Sequence, residues 1–276
     1  MNVVIVDGSG RFREDLLAGT KVIRLANRGH GWKLDTVVRR VVRSDIVGFF
    51  DDDRYPLKPI APYLTRFDDP QCAGVTLAPR NWWFWSLPDG STMRPMGTYA
   101  VMLRRATLVQ ENLWMNRRRM PASGLTILRT FPHWAKQQDV DTGDAVNEHI
   151  LETGRRVDDL GDEGVVAGFD GLTAPRLFLY RKGPNAMLRG IATSDSLRVG
   201  SNAGSAVRGA YGNAKVDRLL DLLPGHQART TGLTETMIRE VIAGHANTEE
   251  RVELLAYFDR LDDEYSRLAA ITKSGD

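Results

Sequence analysis

The first fifty residues alternate between apolar runs and an amphipathic segment. Residues 3–6 (VVIV) form a continuous β-branched run that ends at Asp7, a pattern typical of a buried strand entering a turn. Residues 34–42 carry apolar side chains at positions i, i+3, i+4, i+7 and i+8, which predicts a helix with arginines on its polar side. Residues 45–50 predict a second buried strand. This order of strand, helix and strand favours an α/β fold.

Acidic residues follow both predicted strands. Asp7 ends the first strand, and Asp51, Asp52 and Asp53 follow the second. Ligands of open α/β sheets bind in the crevice at the carboxyl ends of the strands. We therefore expect these four carboxylates to face a common crevice.

The rest of the chain extends this pattern and ends in helices. Residues 73–77 and 97–103 predict further strands, and a helix that presents His149 on its apolar face ends near Gly154. The fold class predicted from the whole chain is a single, mostly parallel, Rossmann-like sheet flanked by helices, with a C-terminal helical extension.

Composition places two boundaries in the C-terminal half. Residues 183–213 are rich in Gly, Ser, Ala and Asn, which predicts a flexible loop or lid between a first domain, residues 1–182, and a helical extension, residues 214–276. The last helix is predicted to begin with a capping box formed by Asn247 and Glu250. Its apolar stripe consists of Leu254, Phe258, Leu261, Tyr265 and Leu268.

Overall composition excludes several classes of protein. The chain has 276 residues, of which 42% are hydrophobic and 26% charged, as in ordinary globular proteins. With 37 basic and 35 acidic residues, the net charge of +2 is too small to indicate a nucleic-acid binder by its overall field, although a local basic patch stays open. The single cysteine, Cys72, permits no internal disulfide and favours a cytoplasmic location. No apolar run reaches the roughly 18 residues that a membrane span needs, and no signal peptide is recognisable.

Three consecutive carboxylates at the end of a strand suggest a cation site. Like charges this close raise one another's pKa unless a cation neutralises them. Carboxylate oxygens suit Mg²⁺ or Mn²⁺, which proteins often hold together with a substrate diphosphate. The alternative is an acidic turn in which one of Asp51, Asp52 and Asp53 caps a helix and the others are solvated.

Several segments together resemble the nucleotide-sugar half of family-two glycosyltransferases. They are residues 4–9 (VIVDGS), 27–29 (NRG), 45–53, 68–75, 97–105 and 141–157, and the resemblance covers about residues 2 to 160. It implies an A-type, Rossmann-like fold and a metal-dependent transfer of a hexosyl group from a nucleotide-diphosphate sugar to an acceptor hydroxyl, with inversion. The first domain would then bind donor and acceptor.

The same resemblance implies roles for individual residues. Asp7 would approach the base or ribose of the donor, and Asp51 and Asp52 the ribose and diphosphate. Asp53, with Asp51, would take the Mn²⁺ or Mg²⁺. Asp141 would be the general base, with Asp139 or Asp144 as substitutes. The donor-binding set implied is Asp7, Asn27, Gly29, Asp51 and Asp52.

The chain departs from the family at its start. Family members usually place a strand-loop-helix unit before the Val-Asp-Gly-Ser strand, whereas here Met1 stands almost directly before it. The alternative register, with residues 3–6 as the family's first strand, leaves about 45 residues before the three aspartates, which is short for the missing elements. The resemblance therefore implies a shortened N-terminus.

The acceptor and the competing functions stay open at the level of sequence. Trp82, Trp83 and Trp85 would stack on an acceptor sugar or form part of the core. The acceptor of such a transferase would be a saccharide, a lipid carrier, a small natural product or a modified nucleic-acid base. A metal-dependent nucleotidyltransferase is one alternative. Another is a non-catalytic scaffold, in which the apolar stripe of the last helix would form a homodimer.

Overall fold

A computed structural model describes most of the chain as two compact units. The described residues are 4–7, 21–26, 28–51, 54–78, 84–87, 89–116, 128–130, 142–168, 172–198, 201–222 and 230–274. The first unit comprises residues 1–50, 61–130 and 137–163, and the second comprises residues 51–60, 131–136 and 164–276.

The described part of the first unit contains both strands and helices. Its strands are β1 (Val4–Asp7), β2 (Lys21–Arg24), β3 (Ile46–Phe50), β5 (Cys72–Thr76), β6 (Phe84–Ser86), β7 (Thr92–Met93), β8 (Ala100–Arg104), β9 (Leu128–Thr130) and β10 (Arg156–Asp159). Its helices are α1 (His30–Arg40), α2 (Arg105–Val109) and α3 (Asp144–Glu152), with 3₁₀ segments at Ala61–Asp68 and Gly161–Glu163.

The largest sheet has four strands in the order β10-β5-β8-β3 and is mixed. β10 pairs with β5 in parallel, whereas β8 runs antiparallel to both β5 and β3. The α/β class predicted from sequence is therefore correct, but the prediction of one mostly parallel sheet is wrong. The apolar run of β8 is buried over Ala100, Val101, Met102 and Leu103. Burial on both faces gives a strand a continuous apolar pattern whichever way it runs, so the pattern does not encode direction.

β1 does not join this sheet. Among the described strands it pairs with β2 alone, in parallel, and Asp7 is aligned with Arg24. β1 and β3 therefore belong to different sheets, and the common crevice for Asp7 and Asp51, Asp52 and Asp53 stays a prediction. A further antiparallel sheet, β7-β6-β9, holds Trp85 in its central strand.

α1 covers the four-stranded sheet with the predicted apolar stripe. Val37 and Val38 are buried, and Val38 shares a core with Val47 and Phe49 of β3. Arg39 and Arg40 occupy the last turn of the helix, where cations complement its dipole. The predicted helix that carries His149 is α3, and Gly154 follows it with a φ of +68°.

The second unit is mainly helical. Strands β4 (Arg54–Pro56) and β11 (Val166–Gly168) pair antiparallel, and the helices are α4 (Thr173–Lys182), α5 (Pro184–Ala192), α6 (Asn202–Leu220), α7 (Glu235–Ala243) and α8 (Thr248–Ser274). The loop predicted over residues 183–213 is thus largely helical. Pro184 opens α5, and the Ser201 side chain caps α6 by accepting a hydrogen bond from Gly204 N–H at 2.9 Å. Tertiary packing and capping outweigh the weak helix propensity of Gly and Ser here.

The predicted cap of the last helix is confirmed in part. Oδ1 of Asn247 accepts the N–H of Glu250 at 3.2 Å. The reciprocal half of the capping box is absent among the described contacts of Glu250, because its carboxylate instead accepts Ser196 Oγ at 2.8 Å and Leu197 N–H at 2.6 Å.

The apolar stripe of α8 is used inside the chain. Leu254, Phe258 and Leu261 are fully buried in the core of the second unit, and the Tyr211 ring stacks on Phe258 with centroids 3.9 Å apart. The predicted homodimer through this stripe is therefore unsupported, since its side chains are already covered by the same chain. None of the described helices combines the length and apolar character needed to cross a membrane.

Candidate functional site

Strand ends of the four-stranded sheet define its carboxyl edge. β3, β5 and β10 run in one direction, and the last residue of β3, Phe50, is paired with the first residue of β8, Ala100. Leu77 N–H, just after β5, also donates to Ala100 O at 2.9 Å. The segment that precedes β8 therefore lies where β3 and β5 end, and Asp51 is the first residue after β3.

The first turn of α1 reaches this segment. His30 opens α1, and its Nε2 atom lies 3.2 Å from Oγ1 of Thr98, two residues before β8. Thr98 is buried, with 7% of its surface exposed, whereas His30 is exposed. The imidazole ring of His30 thus lies exposed at the carboxyl edge, and its contact with the buried hydroxyl of Thr98 fixes its position.

The start of α3 packs on the other side of Thr98. Gly143 precedes α3 in a left-handed conformation with a φ of +91°, and a Cβ placed on it would lie 3.2 Å from Cγ2 of Thr98. Its N–H donates to Met115 O at 3.1 Å. Glycine fits here because it tolerates both the positive φ and the close approach. Asp144, in the first turn, is fully buried.

Asp35 fixes residues 115–116 to α1. Its two carboxylate oxygens accept the N–H groups of Met115 at 2.8 Å and of Asn116 at 3.1 Å. Burial raises the pKa of Asp35, and the two N–H groups and Arg39 oppose that rise. Gly31 is pressed against the same segment, since a Cβ on it would come within 2.7 Å of the Asn116 Cα.

Asn147 attaches α3 to residue 96 in a similar way. Its side chain accepts Met96 N–H at 2.9 Å and donates to Met96 O at 3.1 Å and to Gly143 O at 3.2 Å. Asn147 is buried. α1 and α3 are therefore each attached, by a buried polar side chain, to a segment that lies between them in the sequence.

The described part of the chain contains some of the predicted site residues. Gly29 is the N-cap of α1, Asp51 follows β3, and Asp144 begins α3. Asp7 ends β1, and its backbone alone is described. The remaining predicted donor, metal and base residues lie outside the described residues and stay predictions; they are Asn27, Asp52, Asp53, Asp139 and Asp141.

Of the three tryptophans predicted to contact an acceptor, the structure describes one. Trp82 and Trp83 lie outside the described residues. Trp85 is fully buried in β6, which favours the core interpretation over a stacking surface for an acceptor.

The metal prediction rests on residues that are only partly described. Among the described residues, no group of three or more His, Cys, Asp or Glu side chains is arranged to hold a metal ion. Asp51 is described, and its carbonyl accepts Arg54 N–H at 3.1 Å in the turn after β3. The donor chemistry of residues 51–53, all carboxylate, suits Mg²⁺ or Mn²⁺.

Sequence patterns do not identify Asp35, Thr98 or Asn147 as organising residues. The available signal is a polar residue beside the apolar stripe of a helix, as with Asp35 in α1 and Asn147 in α3. Such a residue must be paired with something when it is buried.

Comparison with known proteins provides no relative. No protein-family model matches the chain, and neither a curated protein nor a solved structure is detectably similar to it.

Proposed function

We propose that this chain is a metal-dependent glycosyltransferase that moves a sugar from a nucleotide-diphosphate donor to an acceptor hydroxyl with inversion. One observation carries the proposal. His30, Thr98 and Gly143 meet at the carboxyl edge of β3 and β5, and each belongs to or adjoins a segment that resembles family-two glycosyltransferases. Segments far apart in sequence thus converge at the edge where α/β proteins bind ligands.

The donor diphosphate is assigned to the end of β3. Asp51, Asp52 and Asp53 would hold Mg²⁺ or Mn²⁺ through carboxylate oxygens, with Asp53 and Asp51 as the main ligands. When bound, the cation offsets the negative charge that grows on the leaving diphosphate. Gly29 and Asn27, at the entry to α1, and Asp7 complete the donor set.

The general base is assigned to the segment before α3. Asp144 is fully buried, so its carboxylate is poorly placed to meet an acceptor hydroxyl. We therefore assign the base to Asp141, with Asp139 as the substitute. A carboxylate there would take the acceptor proton while the hydroxyl oxygen attacks the anomeric carbon from the face opposite the diphosphate, which inverts that carbon.

Calorimetry with nucleoside diphosphates and nucleotide sugars tests the donor site. Binding should require Mn²⁺, and Asp51→Asn and Asp53→Asn should abolish it. Asp45→Asn is the matched control, because Asp45 is an exposed carboxylate just before β3, at its opposite end. If no nucleotide ligand binds with Mn²⁺, the enzyme proposal is wrong and the scaffold alternative stands.

Product analysis tests the reaction. Release of a nucleoside diphosphate and an inverted anomer would support glycosyl transfer, whereas release of pyrophosphate would identify a nucleotidyltransferase. Asp141→Asn should lower turnover about 10²- to 10⁴-fold while donor binding is retained.

A further inference from the structure

Five cations lie on or next to the solvent side of α1. Trp32 and Arg39 are seven residues apart in α1, which places them on one helix face, and Arg43 follows the end of the helix. We name the following set the α1 basic band: Arg28, Lys33, Arg39, Arg40 and Arg43, together with the aromatic residues Trp32 and Trp114.

The cations of the α1 basic band are not neutralised within the described part of the chain. None of the five is within ion-pair distance of a described carboxylate, whereas Arg155 and Arg156 of the same unit bind Glu111 and Asp69. The one acidic residue of α1, Asp35, is buried and bonded to backbone N–H groups. Among the described residues the band therefore has no ion-pair partner, and Arg39 interacts with Asp35 only through its field, which opposes the rise in the pKa of that carboxyl.

Two arginine-tryptophan contacts order this surface. The guanidinium carbon of Arg28 lies 4.9 Å from the Trp32 ring centroid, and that of Arg39 lies 3.9 Å from the Trp114 ring centroid. Arg39 also donates from Nη2 to Leu108 O at 3.0 Å and Leu113 O at 2.6 Å. Trp114 nevertheless keeps 42% of its surface exposed. The exposed ring of Trp114 is thus held against the guanidinium group of Arg39 at the surface.

The α1 basic band begins at the candidate site. Arg28 and His30 are two residues apart, and His30 contacts Thr98 at the carboxyl edge. From there α1 extends 11 residues, or about 16 Å, which matches about five base steps along one strand of DNA. A chain of phosphates following the band would have one end at the site.

We propose that the α1 basic band binds the phosphate backbone of a nucleic acid, whose hydroxyl-bearing base or sugar is the acceptor of the transferase. This deepens the proposed function and rests on it. Cations that follow one another along α1 and at both of its ends suit repeated phosphates, which Arg and Lys side chains bind, and an exposed aromatic ring suits an unstacked base. A neutral saccharide or small natural product would not use such a row of charge. An enzyme that modifies a base also needs a surface that holds the strand while the target leaves the stack.

Fluorescence anisotropy with labelled single-stranded and duplex DNA, without donor or metal, tests the proposal. We expect salt-dependent binding by the wild-type protein. The double variant Lys33→Glu with Arg40→Glu should weaken it about tenfold or more and reduce the slope of log affinity against log salt by about 2. Trp114→Ala should weaken binding to the single strand by about tenfold, because a stacking contact is lost.

A matched double variant separates this surface from overall charge. Arg181→Glu with Lys182→Glu reverses one arginine and one lysine at the end of α4, both exposed and outside ion-pair distance of the described carboxylates, and should leave DNA affinity within about twofold. Circular dichroism checks that each variant is folded. Equal loss in both double variants, no DNA binding by the wild type, or tighter binding to anionic phospholipid vesicles than to DNA would each overturn the proposal. Since no donor is present, these outcomes are independent of whether the chain binds a nucleotide sugar, which the calorimetry with Asp53→Asn decides.

Discussion

The imidazole of His30 and the hydroxyl of Thr98, 68 residues apart in sequence, lie 3.2 Å from each other. This contact joins the first turn of α1 to the segment that enters β8. Thr98→Val keeps the shape of the side chain and removes the hydroxyl, so the folded state should lose about 1 kcal/mol, the usual net value of a hydrogen bond. Chemical denaturation of the wild type, Thr98→Val, His30→Ala and the double variant measures the coupling, which we expect at about 0.5–1.5 kcal/mol.

Thr107 provides the control for this cycle. It is a buried threonine of the same unit whose hydroxyl accepts from Arg155 at 3.2 Å, and that contact involves neither His30 nor Thr98. Thr107→Val and His30→Ala should be additive within about 0.5 kcal/mol. Additive effects of His30→Ala and Thr98→Val would show that the contact contributes nothing to stability.

Gly31 and Gly29 differ in the space that is available for a Cβ atom. A Cβ on Gly31 would lie 2.7 Å from the Asn116 Cα, whereas a Cβ on Gly29 would meet Asn116 Oδ1 at an ordinary 3.8 Å. Gly31→Ala should therefore cost about 1–3 kcal/mol, because backbone must move. Gly29→Ala should cost about 1 kcal/mol or less, since glycine is a modest N-cap. Thermal unfolding monitored by circular dichroism compares the two, and equal losses would contradict the close approach of α1 to residue 116.

Local patterns in the sequence predict the elements of this fold better than their arrangement. The valines of α1, the cap by Asn247 and the end of α3 at Gly154 each depend on a few neighbouring residues, and the structure confirms them. The direction of β8 and the separation of β1 from the main sheet depend on which strands meet. No local apolar pattern records that choice.

The same limit applies to the candidate site. The sequence indicates the segments of residues 27–29, 97–105 and 141–157 separately, and the contacts that His30 and Gly143 make with Thr98 are a property of the folded chain. Glycine-rich composition was the weaker guide, since α5 and α6 fill most of residues 183–213. The charge pattern of α1 alone makes Asp35 one more polar residue, and only its backbone partners in the folded chain distinguish it.

Acid stability should depend on Glu111. Its carboxylate accepts from Arg155 at 2.8 and 2.5 Å and lies 2.6 Å from Nε2 of His149, and the Arg155 hydrogen bonds keep the pKa of Glu111 below its ordinary value of 4.5. Between that lowered pKa and 4.5 the unfolded chain binds more protons than the folded one. Stability from this group is therefore complete above pH 4.5 and is lost as the pH falls through the lowered value.

Urea unfolding at a series of pH values between about pH 6 and pH 3 measures this dependence, because paired carboxylates take up protons in the lower part of that range. Glu111→Gln should be less stable than the wild type at pH 6, and the difference should shrink on acidification. Glu152→Gln is the control, since Glu152 is exposed on α3 and forms no ion pair with a described residue. A constant difference for Glu111→Gln across the range would contradict the lowered pKa.

Asp262 holds a partly buried charge network together in the second unit. Its Oδ1 accepts from Tyr211 at 2.8 Å and lies 2.6 Å from Lys215 Nζ, while Oδ2 accepts from Arg239 at 3.0 Å. Burial raises the pKa of Asp262, but the hydrogen bonds from Lys215 and Tyr211 outweigh that effect and lower it. The Lys215 side chain is only 4% exposed, and it also pairs with Glu235 at 3.1 Å.

Removal of Asp262 should therefore destabilise the second unit, mainly because the buried ammonium group of Lys215 loses one of its two carboxylate partners. Asp262→Ala should cost about 1–3 kcal/mol, below the usual loss for a fully buried pair because Glu235 still faces Lys215 and Asp262 is itself part-exposed. The neighbouring Asp263→Ala should stay within about 0.5 kcal/mol, since Asp263 is exposed and has no ion pair with a described residue. If the buried cation is the cause, adding Lys215→Met to Asp262→Ala should recover part of the loss in denaturant unfolding. A further loss in that double variant would instead mean that Lys215 stabilises the helices through Glu235 and the rings of Tyr211 and Tyr265, which its ammonium group approaches at 5.4 and 4.9 Å.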